Sequence, residues 1–153
     1  MNLHLVGNVV WPALFLEHRL LAWWIIGIGL VVELFFVRFL TSWTWLRSLG
    51  ADAAMNAASA LLGVFLVPLA GLGWELFPAP LFEAHARLGT FNPVTWCATF
   101  AIAVIINAIL ETCVLRFGFK QRNWKKLLLG LCVANSLTVG IAFYSVLHDP
   151  PRP

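Results

Sequence analysis

The chain has 153 residues, of which 61% are hydrophobic and only 11% are charged, and its formal net charge is +3. Soluble domains are about 45–50% apolar and about 25% charged, and a soluble domain of this length leaves a large share of its surface in water. The composition therefore excludes a soluble globular enzyme, a disordered chain and a nucleic-acid-binding protein. It predicts an all-α integral membrane protein in which residues 1–153 form a single membrane domain.

The first segment, residues 1–19, contains an apolar run at residues 9–16 that is too short to cross a bilayer. Pro12 suits the first turn of a helix, and Trp11 is typical of the membrane interface. The segment is therefore predicted to form a short interfacial N-terminal helix, or to extend the first span. Because it lacks the basic start of a signal peptide, we expect it to be retained.

Four later segments are long and apolar enough to cross a bilayer core, which takes about 20 residues. These predicted spans run approximately from Leu20 to Leu40, from Ala51 to Gly71, from Val94 to Phe117 and from Leu127 to Leu147. Residues 72–93 contain two prolines and several aromatic residues, which predicts an aromatic outer loop at the interface. Residues 148–153 form the C-terminal tail.

Basic residues are concentrated in the two short loops, after spans one and three. Seven of the ten lie there: Arg38, Arg47, Arg116, Lys120, Arg122, Lys125 and Lys126. We assign Asp52 to the same side, as its one acid, while the opposite side carries three basic and four acidic residues. The positive-inside rule then places both short loops in the cytoplasm and both termini outside. We expect a bacterial inner membrane, with the termini in the periplasm.

Two segments, residues 33–39 and 111–117, repeat the pattern Glu-x3-(Val/Leu)-Arg-Phe. Further matches follow in the same order: Trp45 with Trp124, Asn56 with Asn135, and Ser59 with Thr138. The offset between matched residues is 78 before the loop and 79 after it, so one inserted residue relates the two halves. The repeat predicts two duplicated helical hairpins, residues 20–71 and 94–147, related by a pseudo-twofold axis along the membrane normal.

Glu33 and Glu111 lie inside apolar runs, where a carboxyl is costly unless it faces protein or water. Each lies as far from the centre of its loop as one Asn of the next span, so both are predicted to meet an Asn at the same depth. With a rise of 1.5 Å per residue, that depth is about 10 Å inside the cytoplasmic boundary. The predicted buried polar layer consists of Glu33, Asn56, Ser59, Asn107, Glu111, Asn135 and Thr138.

This polar layer has two interpretations. Asn, Ser and Thr commonly hold membrane helices together, whereas two carboxyls that converge in a low dielectric are typical of a proton or ion pathway. Arg38 and Arg116 each follow one Glu by five residues. They are predicted to contact lipid headgroups, or to pair with the Glu of the opposite hairpin.

The remaining candidate ligands do not form a recognised pattern. His18, His85 and His148 fall on the outer side, but no HxH or HxxxH spacing supports a metal site. The three cysteines lie in apolar runs without a CxxC, and we expect them to be small buried side chains. The spans lack histidine, which argues against haem ligation between helices. No metal and no cofactor are predicted.

Two functions from different classes fit these features. The first is a non-enzymatic accessory or assembly subunit of a membrane complex, in which the polar layer stabilises the bundle. The alternative is a small oligomeric proton- or ion-coupled transporter or channel that uses Glu33 and Glu111. A lipid-modifying enzyme has less support, because the spans contain no catalytic motif. The expected partners are the lipid bilayer and either further copies of the chain or other membrane subunits, with no nucleic acid.

Overall fold

The computed structural model describes residues 16, 18–76 and 93–148, and its regular secondary structure there is entirely helical. The four long helices are α1 (Trp23–Thr41), α2 (Trp45–Leu76), α3 (Pro93–Cys113) and α4 (Trp124–His148). Helix α3 continues directly into a π-helical turn, Val114–Gly118. All four are long and apolar enough to cross a membrane, as the sequence predicts.

The helices form a closed four-helix bundle. Helices α1 and α2 make hairpin 1, and helices α3 and α4 make hairpin 2. The main contacts join α1 to α2, α2 to α3, α3 to α4 and α4 to α1, so α1 and α3 lie on one diagonal of the bundle. Short connections, residues 42–44 and 119–123, make the partners in each hairpin antiparallel. Both connections therefore lie at one end of the bundle, which we call the short-loop end.

Two apolar clusters fill the interior on either side of the level of the two glutamates. The cluster nearer the short-loop end contains Val37, Ala51, Met55, Ala108, Leu115, Leu127 and Leu131. The cluster towards the opposite end contains Leu16, Ile25, Val67, Ala103, Val104, Val139 and Ala142. On α1, α2 and α4 the polar residues of the predicted layer fall between these two sets, and so does Asn107 on α3, whereas Glu111 lies between Ala108 and Leu115 of the cluster nearer the short-loop end. Most of the predicted polar layer thus lies between the two apolar clusters.

The two hairpins turn in a related way at the short-loop end. Ser42 (φ 56°) and Lys120 (φ 58°) are the non-glycine residues with left-handed backbone in the described part of the chain. Lys120 follows Ser42 by 78 positions, which is also the offset between Glu33 and Glu111. At the first turn the Ser42 N–H donates to the Arg38 carbonyl over 2.9 Å. A left-handed residue closes a helix by satisfying its last carbonyls.

Side chains of the two loops contact each other and tie the hairpins together. The rings of Trp43 and Phe119 have centroids 5.6 Å apart. The Lys126 ammonium donates to the carbonyl of Leu40, near the end of α1, over 3.4 Å. Close by, a Cβ added at Gly130 would lie 2.5 Å from Leu40 Cδ1. The short-loop end is therefore tightly packed across α1 and α4.

The observed helices differ from the predicted spans chiefly at α2. It begins at Trp45, six residues before the predicted Ala51, and continues to Leu76. The early start carries Arg47 into the helix, where its guanidinium lies 4.2 Å from the centroid of the Trp43 ring. Most of the predicted N-terminal helix (residues 1–19) and outer loop (residues 72–93), and residues 149–153 of the tail, lie outside the described residues.

Candidate intramembrane polar site

In hairpin 1, the structure joins Glu33 of α1 to Asn56 of α2. The Asn56 side-chain amide donates to Glu33 Oε2 over 2.7 Å and to the backbone carbonyl of Asp52 over 3.1 Å. The second bond is local to the helix and holds the amide in place. Glu33 is buried, with 3% of its surface exposed.

Hairpin 2 contains the same arrangement. The Asn135 amide donates to Glu111 Oε2 over 2.6 Å and to the carbonyl of Leu131, one turn earlier, over 3.0 Å. Glu111 is also buried, with 1% of its surface exposed. Each carboxyl thus has one oxygen bonded to an amide on the adjacent helix of its own hairpin.

Both glutamates also line one shared cavity, which we call the central cavity. Its volume is about 110 Å³, and a cavity needs only about 10–15 Å³ to hold a water molecule. All four helices contribute polar residues to its wall: Glu33, Asn56, Ser59, Asn107, Glu111, Asn135 and Thr138. The structure therefore brings the seven residues of the predicted polar layer to the same space.

The central cavity extends from the carboxyls away from the short-loop end. On that side its wall includes Leu20, Leu21, Ile25 and Ile26. Leu21 and Ile26 are also exposed on the outer surface of the bundle. The glutamates therefore face a space that approaches the surface of the protein towards the opposite end.

The helices around the cavity approach each other closely where side chains are small. A Cβ added at Gly29 of α1 would lie 3.1 Å from Thr138 Cγ2 and 3.8 Å from Glu33 Oε1. Ser59 and Thr138 donate their hydroxyl protons to carbonyls of their own helices, Met55 (3.1 Å) and Ala134 (3.4 Å). These hydroxyl oxygens keep acceptor capacity beside the cavity.

Asp52 is a polar residue of the interior that the sequence interpretation placed elsewhere. It was assigned to the charges of the cytoplasmic loops, and the structure corrects that assignment. Because α2 begins at Trp45, Asp52 lies in the second turn of the helix with 0% of its surface exposed. Its Oδ1 is 3.3 Å from the Asn56 amide nitrogen that also bonds Glu33. The four-residue spacing between Asp52 and Asn56 was the available signal.

Two further buried hydroxyl residues lie between the level of the glutamates and the short-loop end, outside the predicted polar layer. Ser48 lies four residues before Asp52 on α2, and Thr112 directly follows Glu111 on α3. Both residues are buried. Within the described residues, Ser48 Oγ, Thr112 Oγ1 and Asp52 Oδ2 have no hydrogen-bond partner.

The two arginines that were predicted to contact lipid or the opposite Glu lie over aromatic rings. The Arg38 guanidinium is 4.8 Å from the centroid of the Trp45 ring, and that of Arg116 is 5.7 Å from the centroid of the Phe117 ring. These contacts hold both cations near the surface, towards the short-loop end. Attraction to a ring face is a common arrangement for arginine.

The weak metal candidates are not brought together by the described part of the structure. His18 and His148 are exposed, and His148 Nδ1 lies 3.2 Å from the Tyr144 carbonyl oxygen. His85 lies outside the described residues. Within those residues, no group of three His, Cys, Asp or Glu side chains could hold a metal ion.

The three cysteines are more exposed than the sequence predicts. Cys97 and Cys113 are exposed on the surface of the bundle, and Cys132 is half-buried. The prediction of three buried cysteines is therefore wrong, because two are exposed and the third is only half-buried. An apolar run places a residue in a membrane helix, but it does not distinguish the lipid-facing side from the interior.

The fold and the site together define the class of the molecule: it is a small four-helix integral membrane protein with acidic side chains inside its bundle. Comparison with models of protein families, with curated proteins and with solved structures gives no match.

Proposed function

We propose that this protein moves protons or small cations across a membrane through the interior of its bundle. The observation that carries the proposal is that Glu33 and Glu111, from diagonally opposite helices, line one central cavity. Ionisable side chains inside membrane bundles commonly mark ion pathways and proton relays.

The cavity favours transport over a purely structural role for the glutamates. Stabilising the bundle requires only the two amide–carboxyl bonds, and these need no open space around them. Here the carboxyls face a volume that can hold several waters, in company with amides and hydroxyls. Such surroundings allow a carboxyl to change its protonation or to bind a cation.

The chemistry assigned to each glutamate follows from its hydrogen bonds. The Asn amide occupies Oε2 and orients the carboxyl. The other oxygen, Oε1, is then available to accept a proton or to contact a cation. Because an amide N–H is only a donor, it stabilises the ionised carboxylate and still permits the protonated form.

The proposal includes the duplicated architecture and the orientation. Matched Glu–Asn bonds in the two hairpins support an internal repeat, as do the left-handed residues that are 78 positions apart. The seven basic residues of the short loops support a cytoplasmic short-loop end in a bacterial inner membrane. Because the cavity lies within one bundle, we place the pathway inside a single chain.

Flux measurements on proteoliposomes test the proposal. We expect Glu33→Gln and Glu111→Gln each to reduce proton or cation flux by about tenfold or more, because the neutral amide can neither take up a proton nor balance a cation. Lys125→Gln, on an exposed residue near the short-loop end, is the control and should leave the flux unchanged. Unchanged flux in both Glu variants, with normal folding by circular dichroism, would remove the carboxyls from the pathway.

A second candidate is an accessory or assembly subunit of a membrane complex. The observation that favours it is a row of small, exposed residues on α2: Gly50, Ala53, Ala57 and Ala60. Small residues allow membrane helices to approach closely, so another subunit or a second copy could pack there. The Glu–Asn bonds would then act only between helices. Purification in mild detergent with light scattering tests this function, and a clean monomer without a partner would exclude it.

A further inference from the structure

We propose that a proton path continues from the central cavity to the short-loop end along one face of α2, through Asp52 and Ser48. This inference rests on the proposed function and narrows the transported species to protons. The residues that carry it are Ser48, Asp52 and Asn56, which we call the polar row.

The polar row connects two known places in the molecule. Asn56 lines the central cavity, and Ser48 is the fourth residue of α2, next to the short loop. Residues four apart share a face of a helix, and eight residues span about 12 Å. Ser48 and Asp52 are both fully buried, so the row runs through protein rather than along the surface.

The row contains oxygens that are free to take part in proton transfer. Within the described part of the chain, Asp52 Oδ2 and Ser48 Oγ are buried without a hydrogen-bond partner, and so is Thr112 Oγ1 on the neighbouring helix α3. Such groups are rare in folded proteins, where buried polar atoms are nearly always bonded to protein or to water. All three lie between the level of the glutamates and the short-loop end.

Hairpin 2 lacks the equivalent row. At the offset of 79, the residues that match Ser48 and Asp52 are Leu127 and Leu131. Both leucines are buried in the apolar cluster nearer the short-loop end. The path is therefore confined to hairpin 1, although the Glu–Asn pair is present in both hairpins.

The surroundings of the row suit protons and not larger ions. The wall of the central cavity includes Asn56 but neither Asp52 nor Ser48, and Met55 and Leu115 pack closely at this level. A cation would need several oxygen ligands at once, whereas beyond the central cavity the row offers only the Asp52 carboxylate and the Ser48 hydroxyl as side-chain ligands in the described residues. A proton needs only successive hydrogen-bonding groups.

Proton transfer along the polar row begins at Glu33. The O–H bond of protonated Glu33 breaks, and an O–H bond forms on the Asp52 carboxylate, which contacts the same amide nitrogen as Glu33. Asp52 then releases that proton to the Ser48 hydroxyl or to a water, which accepts it and gives up another proton towards the short loop. The other titratable side chains at the level of the Glu33–Asn56 pair are Glu111 on α3 and Cys132 on α4.

The test is proton flux into proteoliposomes, driven by a membrane potential and read with an internal pH dye. We expect Asp52→Asn to reduce flux by about tenfold or more, because it keeps the shape of the side chain but not the proton-accepting carboxylate. Asp52→Glu should restore most of the flux. Ser48→Ala should reduce it measurably, whereas Ser136→Ala should not, because Ser136 bonds the Cys132 carbonyl (2.7 Å) and lies outside the row.

The outcomes separate this inference from the proposed function. If Asp52→Asn carries protons as fast as the unmodified protein, the path through Asp52 is wrong and the proposed function stands. If the unmodified protein carries Na⁺ or K⁺, the restriction to protons is overturned. If it carries neither protons nor cations, both proposals fall. Retained flux in Asp52→Glu, with loss in Asp52→Asn, supports the path even where the Asn variant is less stable.

Discussion

Hairpins 1 and 2 contain the same pair of a buried Glu and an Asn, but they differ in the residues between that pair and the short loops. Each contains a buried Glu bonded to an Asn, with bond lengths of 2.7 and 2.6 Å. Below that level hairpin 1 has Asp52 and Ser48, where hairpin 2 has Leu131 and Leu127. The Glu–Asn pair joins the two helices in each hairpin. Asp52 and Ser48 extend the buried polar residues of hairpin 1 towards the short loop, whereas the two leucines make hairpin 2 apolar at the matching positions.

The hairpins also differ in how much of them the bundle covers. Along α2, residues 60–66 are mostly exposed, while the matching stretch of α4 is mostly buried or half-buried. Hairpin 2 therefore supplies most of the apolar contacts, and hairpin 1 supplies the polar row and the larger lipid-facing surface. Apart from the two glutamates, which the proposed function places in the pathway of both hairpins, we expect substitutions in hairpin 2 to act mainly on stability and those in the polar row of hairpin 1 mainly on proton flux.

The largest effect on stability is expected at Asn135. Asn135→Leu leaves the buried Glu111 carboxyl without its amide donor, which costs about 2–3 kcal/mol of unfolding free energy. The matching Asn56→Leu should cost less, because Asn56 is only half-buried. Reversible unfolding in mixed micelles measures both values. Equal losses would show that the two pairs are energetically equivalent despite their different burial.

A smaller effect is expected at Gly130, which matches Ala51 of hairpin 1. In Gly130→Ala the new Cβ would meet the Leu40 side chain at 2.5 Å, so Leu40 must move, at a cost of about 1–2 kcal/mol. Gly27→Ala is the matched control, because nothing lies within 4 Å of a Cβ there. The double variant Gly130→Ala/Leu40→Ala should lose less unfolding free energy than the sum of the losses in the two single variants. A loss equal to that sum would argue against the contact between the new Cβ and Leu40.

Asp52→Leu gives hairpin 1 the residue that hairpin 2 has at this position. Because it removes a buried oxygen that has no partner among the described residues, we expect unfolding free energy to stay level or rise by about 1 kcal/mol. The same variant should abolish proton flux. A marked loss of stability would mean that Asp52 is held by interactions beyond its contact with Asn56.

The smallest effect is expected at the aromatic contact of Arg38. Arg38→Gln removes the cation that lies 4.8 Å from the Trp45 centroid, and such exposed contacts contribute about 0.5–1 kcal/mol. Arg116→Gln, over the less favourable Phe117 ring at 5.7 Å, should lose less. If the order is reversed in unfolding measurements, the rings are not what stabilises these arginines.

Hydropathy predicted the coarse fold correctly: four long apolar helices are confirmed among the described residues. The polarity of individual residues predicted which side chains meet at the cavity, since Glu and Asn inside an apolar run have few other places to go. Asp52 was misplaced because a charge near the end of an apolar run counts equally well as loop or helix. Its position depends on where α2 begins, and the turn at Ser42 sets that start.

Other features depend on three-dimensional contacts that have no counterpart in a linear pattern. Cys97 and Cys113 face outwards because of the rotation of α3 against its neighbours, and their hydropathy does not report that rotation. The central cavity arises from gaps between four helices, so no single segment encodes it. The π-helical turn at Val114–Gly118 is likewise invisible in the sequence, because the matching residues 36–40 of hairpin 1 form an ordinary α-helix.

The contact between Trp43 and Phe119, together with the bond from Lys126 to the Leu40 carbonyl, has a mechanical consequence. These contacts join the two hairpins at the short-loop end, so any motion that separated the hairpins would open the bundle at the opposite end. The central cavity extends from the glutamates towards that opposite end. Under the proposed function, water would then reach the glutamates from one side of the membrane, while the short-loop end stays closed.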